Sequence, residues 1–219
     1  VKRNRGPSPW QALKRTVRGG ESIVVQAGAN TGDELRPFKN LWPYSTIYAF
    51  EPRPSPQVKL QANADKYMDI YVIKKALSNK TGRMTLHVNQ MVGTSSLYPI
   101  NTESSCFRPD YTEKGTLEVG TITLDEFLPT DSISLLYSDT QGSELNILKG
   151  AERMLSEGRI GALFLEVFFV ELYENVPLFY DVKREMERHS YRLDGLYCVA
   201  KWYGTGQTMW ADALFVKGD

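Results

Sequence analysis

The stretch VVQAGANTGDE, residues 24–34, decides how the rest of the chain is read. Two valines close a buried strand, and Gly28, Asn30 and Gly32 punctuate the turn after it. Glycine reaches backbone conformations that a side chain forbids, so such a turn lets the main chain approach a ligand closely. In open α/β sheets ligands bind beyond the carboxyl ends of the strands, where strand order reverses. The stretch therefore predicts a strand, a ligand-facing turn and a helix.

Outward from it, apolar runs predict strands at 22–28, 46–52, 69–77, 133–139 and 161–169. Helical segments are expected between them, at 33–42 with a bend at Pro37, at 55–67, at 143–158 and at 178–190. This alternation is the signature of βαβ units and a mainly parallel sheet. Ser8 and Pro9 open a short leading helix that Gly19-Gly20 would stop. Residues 79–124 break the rhythm and read as a hairpin-and-loop insertion near the sheet mouth, with strands at 83–88 and 117–124. Two successive strands at 191–202 and 209–218 predict a C-terminal antiparallel hairpin. The expectation is one α/β domain over 1–219, a mainly parallel twisted sheet with helices on both faces.

Lys+Arg and Asp+Glu both number 26, so the chain is neutral overall. A protein that grips nucleic acid by its phosphates carries a basic excess, and no nucleic-acid partner is expected here. Lys2, Arg3, Arg5, Lys14, Arg15 and Arg18 crowd the N-terminus and read as the solvated face of the leading helix. Cys106 and Cys198 match no metal or redox spacing, which suits a reduced, cytoplasmic protein. No apolar run approaches the ~18 residues of a membrane span.

Polar residues recur where the strands should end. Glu51 falls 19 residues after Gly32, near the ~20 expected of an acid that binds ribose hydroxyls. Asp139, Gln141 and Gly142 follow the fourth strand. The dinucleotide fingerprint G-x-G-x-x-G is not met, because Asn30 and Asp33 occupy two of its glycine positions. An acid at 33 is also ill placed beside a pyrophosphate. A nucleoside with a sulfonium cation and no phosphate fits better, and S-adenosylmethionine is such a ligand.

Four segments read together add to this: VVQAGANTGDE, YAFEPRPS, ALSNKTGRMTLHV with GTSSL, and TITLDEFL with LLYSDTQGSELNILKGAERML. Their order resembles the FkbM family of S-adenosylmethionine-dependent methyltransferases over residues 22–168. The resemblance implies a class I methyltransferase (Rossmann-like) fold and O-methylation of hydroxyls, on a sugar, glycan or related natural product. It implies that Gly28, Asn30, Gly32 and Glu51 hold the methionine and ribose portions of the cofactor. Ala76 and Leu77 would border the adenine, and Ser95 and Ser96 would face the site. Two positions depart from the family pattern: Gln26 stands for an acid and Tyr137 for a lysine, while Asp139, Gln141 and Gly142 remain. Gln26 can still hydrogen-bond, so it is kept among the cofactor-binding residues with Ser96, Asp139 and Gln141.

Methyl transfer to an alcohol is an in-line displacement helped by a general base. Asp139 is the first candidate, Glu166 the second and Glu171 the third. Asp139 alternatively caps the helix starting near Ser143 or binds the cofactor. His87 reads as an exposed strand residue and His189 as a surface residue at a helix end. No metal is expected, a divalent ion between Asp139 and Glu166 being the lesser alternative. Ser95, Tyr173 and Trp202 are expected on the acceptor wall, since aromatic faces stack on sugar rings. Competing readings are an NAD-dependent oxidoreductase and a catalytically inactive nucleoside-binding module.

Overall fold

The computed structural model describes residues 8–17, 22–91, 93–106 and 111–218. Lys2, Arg3, Arg5, Arg18 and the Gly19-Gly20 stop lie outside them. The chain opens with α1 (Pro9–Thr16), where Ser8 and Gln11 form a reciprocal capping box. Then come β1 (Ile23–Ala27), α2 (Leu35–Leu41), β2 (Thr46–Phe50), α3 (Pro54–Ala64) and β3 (Ile70–Ile73). A side excursion carries β4 (Ala76–Leu77), β5 (Gly82–Asn89), β6 (Glu113–Ile122) and α4 (Leu124–Phe127). The chain returns as β7 (Ile133–Ser138), α5 (Glu144–Lys149), α6 (Glu152–Ser156), β8 (Ile160–Phe168), α7 (Phe179–Arg188), β9 (Tyr191–Lys201) and β10 (Thr208–Lys217).

The main sheet is seven-stranded, in the order β3-β2-β1-β7-β8-β10-β9. From β3 to β8 neighbours run parallel, while β10 enters antiparallel between β8 and β9. Strand order reverses at β1, which pairs with β2 on one side and β7 on the other, so Gln26 lies between Ala49 and Tyr137. Successive side chains of a strand point to opposite faces. Val24 and Leu135 accordingly join one core with α1 and α2, and Val25 and Leu136 join the other with α5 to α7. On α7 the buried residues Phe179, Val182 and Met186 recur at helical spacing and dock it on the second face.

Four boundaries differ from the sequence expectation. Pro37 does not bend α2: it falls in the first turn, where its missing N–H has no intrahelical partner to lose. The run 69–77 is not one strand. It breaks at exposed Lys74-Lys75, and Ala76-Leu77 pair with Thr121-Ile122 in a separate three-stranded sheet, order β4-β6-β5. The expected strand 117–124 starts earlier, at Glu113, and stops where Thr123 caps α4. The expected helix 143–158 divides at Gly150, where a Cβ would meet the Ser78 carbonyl at 2.0 Å. The second half restarts on a remote cap, with the Arg153 and Met154 N–H groups donating to the Asp125 carboxylate at 2.8 and 3.0 Å. Among the described residues no helix is long and apolar enough to cross a membrane.

Candidate functional site

The carboxyl ends of β1, β2 and β7, with the β4–β5 sheet leaning over them, enclose a cleft of about 650 Å³. The turn after β1 forms its floor. Gly28 and Ala29 donate to the Phe50 carbonyl, and Gly28 adopts φ +78°. A Cβ on Gly28 would lie 2.0 Å from the Asp139 carbonyl, so only glycine lets the ends of β1 and β7 close together. Asn30 also takes a left-handed conformation, φ 46°, which asparagine tolerates better than most residues.

Glu51 lies just past β2, buried, with its carboxylate held by main chain. The Asn30 N–H donates to Oε2 at 2.9 Å and the Arg53 N–H to Oε1 at 2.9 Å. Its remaining lone pairs can accept vicinal hydroxyls. The Arg53 guanidinium reaches from Glu51 (Nε to Oε1, 3.2 Å) to Asn30 Oδ1 and Ser95 Oγ, tying the turn to the side sheet. Phe50, Ala76, Leu77, Leu86 and Leu97 supply an apolar wall. One polar end and one apolar end suit a nucleoside.

A second cleft, of about 410 Å³, adjoins the first and shares Gly93 and Gln141 with it. Its walls include Tyr111, Phe168, Tyr173 and Trp210, with Glu166 among them. At the junction the Gln141 amide spans two carboxylates, donating to Asp139 Oδ1 at 2.8 Å and Glu166 Oε2 at 2.7 Å. The Tyr173 hydroxyl lies 2.9 Å from Gln141 Oε1 and 2.8 Å from the Thr94 carbonyl. Gln141 itself is at φ 57°. Burial raises Asp139, while hydrogen bonds from Gln141 and Glu166 pull it back. Burial, then the charge of Asp139, pushes Glu166 well above the usual carboxylate range. Both acids are thus pushed toward their neutral forms, Glu166 the further of the two. The Gln141 N–H groups lie between the two acids.

Glu144 organises this loop. Its carboxylate accepts from the Thr140 and Gly142 N–H groups and from the Ser138 and Thr140 hydroxyls, at 2.7–3.2 Å. Burial nevertheless pushes it up to about 7. Glu144, rather than Asp139, is the acid at the start of α5.

The structure therefore brings Gly28, Asn30, Glu51, Ala76, Leu77, Asp139 and Gln141 to one cleft, and Glu166 and Tyr173 to its neighbour. Other expected residues are placed differently. Ser95 lines the first cleft, not the second, and Ser96 is fully buried, its hydroxyl donating to the Gln141 carbonyl at 2.6 Å. Gly32 turns away from the cleft, and a Cβ there would meet Leu60 at 2.8 Å. Trp202 packs at the start of the β9–β10 turn, and the indole that lines the second cleft is Trp210. Gln26 faces a side cleft with Glu34 and Tyr137. His189 is buried among Ser156, Glu152, Glu185 and Arg188, not on the surface, and His87 pairs with Glu113 at 2.8 Å. That cluster around His189 is the one candidate cation group among the described residues, and the Arg188 guanidinium already bridges its two acids. Glu171 is exposed beyond β8. Both cysteines are free thiols. Arg53, Glu144, Glu34 and Trp210 were not singled out in the sequence, although Arg53 follows Glu51 in EPRP and Glu144 closes DTQGSE.

Strand order, the glycine turn after β1 and the acid after β2 define a class I methyltransferase. The methyltransferase FkbM domain family matches residues 26–193, and the chain belongs to that family. Its cofactor is S-adenosylmethionine, and the fit shows in the Gly28 cradle and in the buried Glu51 carboxylate. The chain is 24% identical over 168 residues to the 2-O-methyltransferase NoeI of Sinorhizobium fredii, covering 72% of this chain and 68% of that protein. It is 26% identical over 147 residues to Methyltransferase 1 of Beauveria bassiana, covering 60% and 59%. The solved methyltransferase FkbM of Methylobacillus flagellatus superposes with a TM-score of 0.60 at 18% identity, over 91% of this chain and 44% of that one. The chain thus spans less than half of that solved chain.

Proposed function

We propose that this protein transfers the cofactor's methyl group to a hydroxyl of a sugar or related ring held in the aromatic cleft. The observation that carries this is the junction: the nucleoside-shaped cleft and the aromatic cleft meet at Asp139, Gln141 and Glu166. Bound S-adenosylmethionine supplies an electrophilic methyl on a sulfonium. Glu51 and Asn30 hold the ribose side, the Phe50–Leu97 wall holds the base, and Gly28 lets both approach. Asp139, in its ionised form, accepts the proton of the attacking hydroxyl. Glu166, neutral, donates to Asp139 and keeps it aimed. Tyr173, Trp210 and Phe168 offer faces for an apolar C–H surface and exclude water. The named 2-O-methyltransferase among the similar proteins supports oxygen as the acceptor atom.

Calorimetric titration of the protein and of Glu51→Ala with S-adenosylmethionine, S-adenosylhomocysteine and NAD tests the cofactor half. Binding of the first two that is lost in the variant supports it, and preferential NAD binding sinks it. Methyl incorporation into glycans, with the methylated atom then located, tests the acceptor half.

A further inference from the structure

Behind the glycine turn a side cleft of about 330 Å³ opens between the end of β1, the start of α2 and the end of β7. Gly28, Asn30 and Asp139 line both it and the nucleoside cleft, so the two communicate. Its wall is built of acceptors. Gln26 is 1% exposed, and its Oε1 has no hydrogen-bond partner. Its Nε2 donates to Glu34 Oε2 at 3.0 Å, which fixes which end of the amide is the nitrogen. Glu34 and Asp139 add two carboxylates, and among the described residues no lysine or arginine lines the space. Asp33 at the rim is met by Lys59, 3.7 Å away on the outside.

A buried acceptor without a donor costs ~1–3 kcal/mol, and native proteins tolerate few of them. Two carboxylates lining the cleft, with no lysine or arginine in its wall among the described residues, call for a cationic donor of several N–H groups. A primary ammonium has three, and S-adenosylmethionine carries one on its amino-acid arm. We infer that Glu34, held in place by Gln26, supplies the counter-charge for the α-ammonium of the cofactor. This rests on the cofactor assignment above and extends it to a residue outside the strand-end turn. It also accounts for Gln26. The charge that the family pattern carries at the strand end is not lost here but moved eight residues on, to α2, and the neutral amide couples it to the cleft. Burial raises the Glu34 carboxyl, hydrogen bonds from the main chain and from Gln26 partly offset this, and the charges of Asp139 and Asp33 add to the rise, so a cation in this cleft favours its ionised form.

The test compares two ligands on two proteins. S-adenosylhomocysteine carries the ammonium, and 5′-methylthioadenosine keeps the nucleoside and lacks the amino-acid arm. Glu34→Gln is expected to weaken S-adenosylhomocysteine by roughly 10- to 100-fold, the worth of a charge-assisted hydrogen bond, and to leave 5′-methylthioadenosine unchanged. Placing the charge on the other partner, in the double variant Glu34→Gln with Gln26→Glu, is expected to restore most of the discrimination. Equal weakening of both ligands, or of neither, overturns the inference. So does competition of S-adenosylhomocysteine by KCl or NaCl, at constant ionic strength, that disappears in Glu34→Gln, because the cleft then holds an inorganic cation. Glu51→Ala separates the two levels: if wild type binds neither nucleoside, the cofactor assignment itself fails, whereas loss of both only in Glu51→Ala leaves the Glu34 result interpretable. Ligand-free melting temperatures of all variants report whether any loss is merely unfolding.

Discussion

Two residues at the mouth of the sheet carry opposite demands. Gly28 must have no side chain, and Asp139, in the proposed reaction, must have one that ionises. Gly28→Ala places a Cβ 2.0 Å from the Asp139 carbonyl at a φ of +78°, so β1 and β7 must separate. Strain of this kind costs ~1–3 kcal/mol before any clash is counted. The variant should melt lower and lose S-adenosylhomocysteine affinity together, and an unchanged calorimetric Kd would refute the cradle. At Asp139 the forecast is sharper. Asp139→Asn removes the proposed base and should cut kcat by about 10²–10⁴-fold, a loss well beyond any weakening of cofactor Kd. Glu166→Gln keeps a donor toward Asp139 and should retain activity within about tenfold. If Glu166→Gln is the more damaging of the two, the roles are reversed and Glu166 is the base.

At the scale of elements, the two-part helix shows how distant residues decide local structure. Gly150 yields to the Ser78 carbonyl, the chain kinks, and Asp125 from the far side of the excursion caps α6. Asp125→Ala should therefore cost ~1–2 kcal/mol, a melting shift of ~2–8 °C, with S-adenosylhomocysteine affinity unchanged. No shift would mean that α6 holds its start without the cap. The same kink explains what sequence reading misses. SELNILKGAERMLSEG is helical by local propensity, and nothing within it announces Ser78. DIYVIKKAL likewise alternates as one strand, and only the pairing of Ala76-Leu77 with β6 divides it. Central strands are legible because both faces are buried and their apolar runs are unbroken. Polar residues at their ends are legible as chemistry for the same reason, since little else there is polar. Direction is not legible: whether Ser95 or Ser96, Trp202 or Trp210 meets the cleft depends on register and loop path. Gln26 reads as a weakened site until Glu34 is seen beside it.

Over the whole molecule, the unusual feature is how many acids gather without a basic partner at one end of the sheet, Glu144 and Glu166 buried, Glu34 and Asp212 half-buried, and Asp139 at an open position. Glu34, Asp139, Glu144, Glu166 and Asp212 are all raised, burial being the first cause in each. Asp212 reaches about 6 from 3.8, and Glu144 about 7 from 4.5. An acid raised in the folded state keeps its proton after the unfolded chain has released it. Between those limits the unfolded state binds fewer protons, so stability is full below about pH 4 and falls as pH rises through the folded values. Each retained proton contributes a slope of ~1.4 kcal/mol per pH unit. Glu185 acts the other way. Against burial, the hydrogen bond and charge of Arg188 hold it low, but that contribution is lost only in acid, below the window in question. The ligand-free protein should therefore lose stability in urea from about pH 4 to about pH 7, a fall that paired surface carboxylates do not produce. Glu144→Gln removes the longest resolved part of that window and should flatten the slope up to about 7, while Asp212→Asn should flatten it only up to about 6. A cationic ligand beside the acids favours their charged forms, so stabilisation by S-adenosylhomocysteine should grow with pH where that by 5′-methylthioadenosine does not. A flat urea midpoint across this range, unchanged in either variant, would mean that these acids are ionised in the native protein.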